Sequence, residues 1–237
     1  MRHPKGYILP HIPNYFRFKT LQKSFGKTKG LKQPVKTRWY TQYNCVNSLL
    51  VNKLVMKALL DEEVSDNFKD TIGSDSFWGS LKCFGQILEY PTNLIGKMES
   101  DGTDLSRVYQ AFQNLMDSYA AMKNVDNLVL KSVRDMLLRR WEFIHTESMG
   151  MAFVLNPYNI EVGMIGTDRV DSIQQLRKHI DQVYESDAED CKGELIKFNS
   201  FFHTCSDEQR DAIIGVNPLE FWSMFGCNEY RLLGKSR

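Results

Sequence analysis

Residues 105–122 have the sequence LSRVYQAFQNLMDSYAAM, in which apolar side chains recur every three or four positions. The apolar positions are Leu105, Val108, Tyr109, Phe112, Leu115, Met116, Tyr119 and Met122. Because an α-helix has about 3.6 residues per turn, this spacing places them on one side of a helix. Thr103 or Asp104 is in position to cap its first turn. The stretch therefore predicts a long amphipathic helix.

Patterns of the same kind elsewhere predict further helices. We expect them over residues 14–25, 41–60, 78–88, 125–144, 170–184, 195–202 and 207–214. Pro91 is expected to bend or stop the third of these, and the polar, acidic residues 61–76 are expected to form a loop. The apolar run at residues 151–155 is too short to distinguish a strand from a buried helix end.

The predicted fold class is mainly α. It is a helical bundle in which residues 1–40 form a basic, poorly structured N-terminal arm and residues 41–237 form a helical domain. The prolines and glycines of residues 1–36 interrupt regular structure there. No internal repeat of fixed period is visible, which disfavours a solenoid.

Composition sets limits on the class of protein. With 237 residues, of which 42% are hydrophobic and 25% charged, the chain has enough apolar surface to bury a core and is not a disordered type. It has no apolar stretch of about 20 residues, as a membrane helix needs, and no secretory signal pattern. Cys191, His203 and Cys205 match no spacing of structural zinc sites. We therefore predict an intracellular protein without cofactor, metal or membrane contact.

Charge is divided unevenly along the chain. Residues 1–60 contain twelve Lys or Arg and no Asp or Glu, whereas the remaining residues contain 18 basic and 29 acidic side chains. A cluster of cations without acids favours a polyanionic partner, because each contact with a phosphate releases condensed counterions. Aromatic residues lie among these cations, which favours nucleic acid. The alternative is that the basic arm docks on the chain's own acidic body.

One basic segment carries a resemblance to a known family. Residues 31–39 have the sequence LKQPVKTRW and lead into the helix predicted from Thr41. They resemble the Thr-Arg-Trp segment of hAT-superfamily DNA transposases, where a basic strand ending in Arg-Trp precedes a helical insertion domain. Later stretches agree in order: Phe77-Trp78 and residues 104–109 resemble the insertion helices, residues 151–157 are similar to a Leu-x-Pro stretch, and residues 217–226 resemble the tryptophan segment before the dimerisation region. The resemblance covers about 200 residues, which is most of the chain.

The resemblance also implies what is missing. The family's RNase H-like core binds two metal ions through two Asp and one Glu, the Asp residues upstream of the Thr-Arg-Trp segment and the Glu beyond the tryptophan segment. Residues 1–36 contain no acid and no cysteine, and the chain ends at Arg237 before a Ser-x-x-Glu-Arg motif. The family's zinc-binding finger is not present either. We therefore expect at most a remnant of the RNase H-like sheet, no catalytic residues and no enzymatic activity.

Six residues are the predicted DNA contacts: Lys27, Lys29, Lys32, Lys36, Arg38 and Trp39. The lysines are expected to follow a DNA backbone and Arg38 to bind a phosphate. By the resemblance, Trp39 corresponds to a tryptophan that stacks near a flipped base. The alternatives are that Trp39 is a core aromatic, that Arg38 forms a surface ion pair and that the lysines form a solvated face.

Two functions follow from these patterns. The first is a catalytically inactive, hAT-derived protein that binds DNA without sequence preference, located in the nucleus or alternatively in the cytoplasm. The second is a helical interaction module that forms a homo-oligomer, because the segment around Trp222 supports multimer formation in the family. An unrelated enzyme is disfavoured, since no Ser, His and Asp or Cys and His are arranged as a nucleophile with its base.

Overall fold

The structure, a computed structural model, describes residues 12–35, 39–61, 64–99, 103–160, 162–209 and 216–235. The chain forms two compact units. Unit 1 comprises Met1–Ser100 and Ser118–Ser132, and unit 2 comprises Asp101–Asp117 and Val133–Arg237. This division lies within the helical domain predicted for residues 41–237, and the boundary predicted near residue 40 stays a prediction.

Helices make up most of both units. Unit 1 contains α1 (Ile12–Ser24), α2 (Trp39–Val51), α3 (Lys53–Ala58), α4 (Asp66–Gly73) and α5 (Asp75–Met98). Helices α6 (Leu105–Ala120) and α7 (Asn127–Ile144) contribute residues to both units. Unit 2 also contains α8 (Glu147–Val154), α9 (Asp168–Tyr184), α10 (Ala188–Thr204), α11 (Pro218–Phe221) and α12 (Cys227–Glu229). No strand occurs among the described residues, and the predicted mainly α class is confirmed.

Short turns complete the secondary structure. The 3₁₀ turns are Leu59–Asp61, Pro157–Asn159, Glu185–Asp187 and Leu233–Lys235, and Trp222–Gly226 forms a π turn. Residues 207–209 are helical, whereas most of the helix predicted there lies outside the described residues. No helix in the described part of the chain combines the length and the apolar character that crossing a bilayer requires.

The core of unit 1 is built on one side of α2 and α3. Cys45, Leu49, Asn52, Met56 and Leu59 follow one another at steps of three and four, and all five are buried. The single helix predicted over residues 41–60 is interrupted at Asn52, between α2 and α3. The pattern also placed Leu54 on the buried side, which is wrong, because Leu54 is exposed.

The loop predicted over residues 61–76 is wrong, because α4 lies within it. Phe68 and Ile72, four residues apart, are both buried in the core of unit 1. The indole Nε1–H of Trp78 donates to the Ile72 carbonyl at 2.7 Å. Asp66 and Asp70 lie on the exposed side of this short amphipathic helix, so the acid content alone did not indicate a loop.

Helix α5 continues through Pro91 to Met98 instead of stopping there. Proline has no N–H, so the carbonyl four residues earlier, that of Ile87, loses its usual helical donor. The hydroxyl of Tyr119 donates to this Ile87 carbonyl at 2.5 Å. A tertiary hydrogen bond thus takes the place of the missing backbone bond.

The core of unit 2 is formed by α8, α9, α10 and the C-terminal segment. The residues at its centre include Val154, Ile180, Leu195, Phe198 and Phe221, all of them buried. The apolar run at residues 151–155 belongs to the end of α8, so it is the buried helix end and not a strand. Asp104 caps α6 as expected, because its Oδ1 accepts the Arg107 N–H at 2.8 Å.

Ala188 to Asp190 form the first turn of α10, where negative charge is favourable. The helix predicted over residues 125–144 corresponds to α7, and its apolar side is only partly buried: Trp141 is buried, whereas Met136 is exposed. A broad apolar stripe does not by itself specify which part of it meets the core.

Candidate nucleic-acid interface

The predicted DNA-binding lysines follow the end of α1. That helix ends in a Schellman motif: the Gly26 N–H donates to the Lys23 carbonyl at 3.0 Å, and the Lys27 N–H donates to the Gln22 carbonyl at 2.8 Å. Gly26 has φ +64°, a conformation that glycine adopts without the strain a side chain would bring. The motif ends the helix and starts residues 27–35, which we call the basic segment.

Two buried amide side chains hold the first part of the basic segment. The Lys29 carbonyl accepts N–H bonds from Gln22 Nε2 and from Asn52 Nδ2, both at 2.8 Å. Gln22 Nε2 also donates to Asn52 Oδ1 at 2.8 Å, and Asn52 Nδ2 donates to the Ser48 carbonyl at 2.8 Å. Because both amides are buried, loss of either would leave unsatisfied polar groups in the core.

The rest of the basic segment is held by hydroxyl groups on α2. The Lys32 N–H donates to Ser48 Oγ at 2.9 Å, and the Val35 N–H donates to Thr41 Oγ1 at 2.8 Å. Residues 29, 32 and 35 therefore bond to residues 52, 48 and 41, which lie progressively closer to the start of α2. The segment has no helix or strand, in agreement with its glycine and proline content, but its backbone is fastened antiparallel to α2.

Lysine side chains of the basic segment reach solvent while its backbone is held, whereas Leu31 packs against the core of unit 1. Lys29 and Lys32 are exposed, and Lys27 is partly exposed. None of the ion pairs formed by the described residues includes these three lysines. In unit 1 the Lys57 ammonium binds Asp75 at 2.9 Å, and this bond lowers the pKa of Asp75.

Aromatic side chains lie among these cations and are exposed. Phe16 is 65% exposed and Phe25 is 42% exposed. Phe16 shares one face of α1 with Lys19 and Lys23, which follow it by three and seven residues. The Lys19 ammonium lies 5.9 Å from the ring centre of Tyr15. The Lys19 ammonium also donates to Gln22 Oε1 at 3.1 Å, so unit 1 presents exposed rings beside a cation that is held against α1.

The structure locates only part of the predicted set. Lys27, Lys29 and Lys32 lie together on the basic segment. Lys36 and Arg38 lie outside the described residues. Trp39 is the first residue of α2, and its side chain also lies outside the described part, so neither interpretation of Trp39 is tested.

Sequence reasoning missed the residues that position the segment. Gln22, Ser48 and Asn52 were not singled out, because each is a common polar residue in a predicted helix. One signal was present: Asn52 occupies the buried line that runs through Leu49 and Met56. A polar amide at a core position needs hydrogen-bond partners, which indicates that something polar is held there.

Unit 2 has a cleft with a volume of about 750 Å³. Its lining is mainly apolar and includes Leu155, Pro218, Leu219, Trp222 and Leu233. At its polar side, the buried Ser106 hydroxyl accepts N–H bonds from Asn156 at 2.8 Å and Asn159 at 3.0 Å.

The chemistry of this cleft is limited. Among its described lining residues, Asp104 alone is ionisable, and its carboxylate caps α6. A general acid or base must reach the proton that it transfers, and the Asp104 carboxylate already accepts the Arg107 N–H at 2.8 Å. No group of three or more His, Cys, Asp or Glu side chains able to hold a metal ion occurs among the described residues. The basic segment is therefore the better candidate for a functional site.

Comparisons with known proteins do not add a family to this description. A scan against models of protein families, a search of curated proteins and a search of solved structures each found no match to this chain.

Proposed function

We propose that this chain binds DNA without sequence preference through the basic segment, and that it does so as a non-catalytic derivative of a hAT-type transposase. The observation that carries the binding proposal is the set of three lysines on a fastened, acid-free segment. The transposase ancestry and the lack of cleavage activity rest on the motif resemblance alone. A nuclear location is proposed with them, because DNA is the expected partner.

Fastening the segment favours binding. Association usually loses part of its free energy to the ordering of loops and side chains, and a backbone that is already held avoids the loop part of that loss. Lysine ammonium groups bind phosphate as point charges and lack the planar fork that reads a base edge. The contacts are therefore expected to be electrostatic and independent of sequence.

Fluorescence anisotropy on a labelled DNA duplex at several salt concentrations tests the proposal. If about six phosphates are neutralised, log K against log salt has a slope near −5. The variant Lys27→Gln/Lys29→Gln/Lys32→Gln is expected to make that slope about 2 to 3 shallower and to weaken binding at low salt. Incubation with supercoiled plasmid and Mg²⁺ is expected to leave the plasmid intact; nicking would overturn the non-catalytic part.

A matched control separates local from overall charge. Lys123, Lys131 and Lys178 are exposed and lie away from the basic segment in sequence, so their triple Gln variant changes net charge by the same amount. We expect this control to bind DNA nearly as the unaltered chain does. Equal losses in the two variants, or no binding at low salt, would overturn the proposal for the basic segment.

A second candidate function is self-association through unit 2. Leu219 and Met224 are 77% and 73% exposed, although both are large and apolar. Leu219 lies in α11, and Met224 lies in the π turn that follows α11 directly. Exposed apolar pairs of this kind are suited to a second copy of the chain. Light scattering tests this: a dimer that Leu219→Asp/Met224→Asp converts to a monomer supports it, and a strict monomer contradicts it.

A further inference from the structure

The cleft of unit 2 is lined by two parts of the chain that are bonded to each other. The end of α8 contributes Ala152 and Leu155, and the C-terminal segment contributes Trp222. The indole Nε1–H of Trp222 donates to the Leu155 carbonyl at 3.0 Å. Leu155 and Trp222 also pack against the buried core of unit 2. The lining is therefore held in place by contacts within the protein.

The backbone of the C-terminal lining is held as well. Asn217 and Glu220 form a capping box at the start of α11, in which Asn217 Oδ1 accepts the Leu219 N–H at 2.9 Å and Glu220 Oε2 accepts the Asn217 N–H at 3.3 Å. Farther along, the N–H of the buried Leu233 donates to Glu194 Oε2 at 2.9 Å. A lining that is already ordered loses little free energy when a ligand enters it.

The polar side chains of the lining are largely engaged within the protein. Asn156 Oδ1 accepts the Tyr158 N–H at 3.0 Å, and Asn156 Nδ2 donates to Ser106 Oγ at 2.8 Å. The Ser223 hydroxyl donates to the Leu219 carbonyl. A strongly polar ligand would lose its bonds to water and find few replacements here, so the cleft suits a mainly apolar one.

Charge narrows the class of ligand further. The described residues that line the cleft include no lysine, arginine or histidine, so an anionic ligand would find no cation among them. Asp104 carries the lining's negative charge, and its Oδ2 lies 3.5 Å from the Nε of Arg107. A cationic ligand would therefore compete with Arg107 for a carboxylate that is already paired. An uncharged ligand meets neither difficulty.

We propose that the cleft of unit 2 binds an uncharged lipophilic small molecule. Its volume of about 750 Å³ lies within the range of roughly 300 to 1,000 Å³ that small-molecule sites occupy. An apolar lining with a few polar groups is also usual for such sites. This site goes beyond the proposed DNA binding, because it shares no residue with the basic segment.

Competition between matched ligands tests the class of ligand. The probe is N-phenyl-1-naphthylamine, an uncharged molecule whose emission rises in apolar surroundings, and it is titrated against the full chain. Saturable binding of one probe per chain is expected. Decanol is expected to displace the probe, whereas decanoate and decylammonium, which have the same chain length, are expected to be roughly tenfold weaker or worse at neutral pH. Equal displacement by all three would contradict an uncharged ligand.

The variant Ser223→Phe tests the location. Its ring would take up part of the volume that the probe needs, so the affinity for the probe is expected to fall by roughly tenfold or more. The matched control is Ser200→Phe. Ser200 is also exposed, its hydroxyl donates to the carbonyl four residues earlier, that of Ile196 at 3.1 Å, and it does not line the cleft. This control is expected to bind the probe as the unaltered chain does; equal losses in the two variants would contradict binding in the cleft.

A second variant, Ala152→Leu, approaches the cleft from α8. It is expected to weaken probe binding in the same direction, and it keeps the test decisive if Ser223→Phe does not fold, which circular dichroism shows. If no folded cleft variant changes the affinity, the probe binds elsewhere and the proposal is wrong.

Light scattering on the same samples tests the other possible occupant, a second copy of the chain. If the unaltered chain is a dimer that binds no probe, and binding appears only in the Leu219→Asp/Met224→Asp monomer, a second copy covers the cleft and the proposal is wrong. The variant Lys27→Gln/Lys29→Gln/Lys32→Gln is expected to bind the probe unchanged. Failure of the DNA-binding proposal is therefore distinguishable from failure of this one.

Discussion

Both units hold an irregular stretch of chain with buried polar side chains, and the two stretches differ in how the described charges near them are used. No ion pair of the described residues includes the lysines of the basic segment, whereas Arg169 bonds to carbonyls of the stretch in unit 2. In unit 1, Gln22 and Asn52 hold the carbonyl of Lys29, and the lysines of the basic segment face outward. In unit 2, Ser106 holds Asn156 and Asn159 in the connection after α8.

The charges near the connection in unit 2 are used internally. The guanidinium of Arg169 donates to the carbonyls of Asn159 and Val162 at 2.8 and 2.7 Å. Asp168 accepts the hydroxyl of Tyr109 at 2.7 Å. Burial and this contact raise the pKa of Tyr109, so the hydroxyl remains a donor at neutral pH.

One cation of unit 2 binds two carboxylates. The ammonium of Lys192 lies 2.5 Å from Asp181 and 2.8 Å from Glu189, and its pKa is raised by these two bonds. Both units therefore contain a loop that is held by hydrogen bonds from buried polar side chains. The basic segment differs in that its held loop lies in a stretch without acids, which is why we propose it as an interface.

The largest effect is expected for Asn52→Ala, which removes the amide shared by Lys29, Ser48 and Gln22. Three buried hydrogen bonds are lost and buried partners are left unsatisfied, so the free energy of unfolding should fall by about 3 kcal/mol. Duplex affinity should also fall, by roughly three- to tenfold, because binding must now order the loosened segment. Urea denaturation and anisotropy measure the two effects.

This variant keeps every lysine, so it tests whether the position of the lysines affects binding separately from their charge. If Asn52→Ala binds DNA as tightly as the unaltered chain under conditions where both are folded, the fastening has no role in binding. The charge of the lysines alone, and not the holding of their backbone, would then account for binding.

A smaller effect is expected for Ser106→Ala in unit 2. The Nδ2 groups of Asn156 and Asn159 would lose a shared acceptor, which should lower the free energy of unfolding by about 2 kcal/mol. DNA affinity is expected to stay unchanged. The variant is the counterpart of Asn52→Ala, since both disturb a buried amide cluster, and a comparable loss of binding here would show that stability rather than fastening controls affinity.

The smallest effect concerns Tyr119→Phe in unit 1. Its hydroxyl is the donor that replaces the missing Pro91 N–H at the Ile87 carbonyl, so its loss should cost about 1 kcal/mol. In the Pro91→Ala background the new N–H can donate to Ile87, and the same substitution should cost less. A double-mutant cycle by denaturation measures this coupling, and additive effects would contradict the replacement.

The same variant has a pH signature. Burial raises the pKa of Tyr119 to about 12, whereas an unfolded tyrosine ionises near 10. Between these values the unfolded chain releases a proton that the folded chain retains, so stability falls as the pH rises through this window. Tyr119→Phe should make that decline shallower and leave the pH dependence below 10 unchanged.

Much of the fold was predictable because the spacing of apolar residues within a short stretch of sequence indicates a helix. The stretch at residues 105–122 and the pattern of residues 170–184 correspond to α6 and α9. The predictions were wrong where a contact with residues distant in sequence outweighed the local pattern. Helix α5 passes Pro91 because Tyr119 supplies a donor, and α4 forms within an acidic stretch because Phe68 and Ile72 have a core to enter.

The sequence predicted the positive charge of the candidate site, but it did not predict which residues hold the site in place. Residues 1–60 contain no Asp or Glu, and this observation drew attention to Lys27, Lys29 and Lys32 without any structure. The fastening by Gln22 and Asn52 joins residues up to 30 positions apart, and no local pattern indicates which polar residues will meet. The same holds for the exposure of Phe16, since an aromatic residue on a helix is equally consistent with burial.

By itself, then, the order of residues determined the helical class and the uneven distribution of charge, because both depend only on neighbouring positions and on composition. Tertiary packing alone decided that the basic segment is held against α2, and that two rings of α1 stay in solvent. The physical reason is that hydrogen bonding and burial depend on which surfaces meet, and that choice is made by the whole core of unit 1 together.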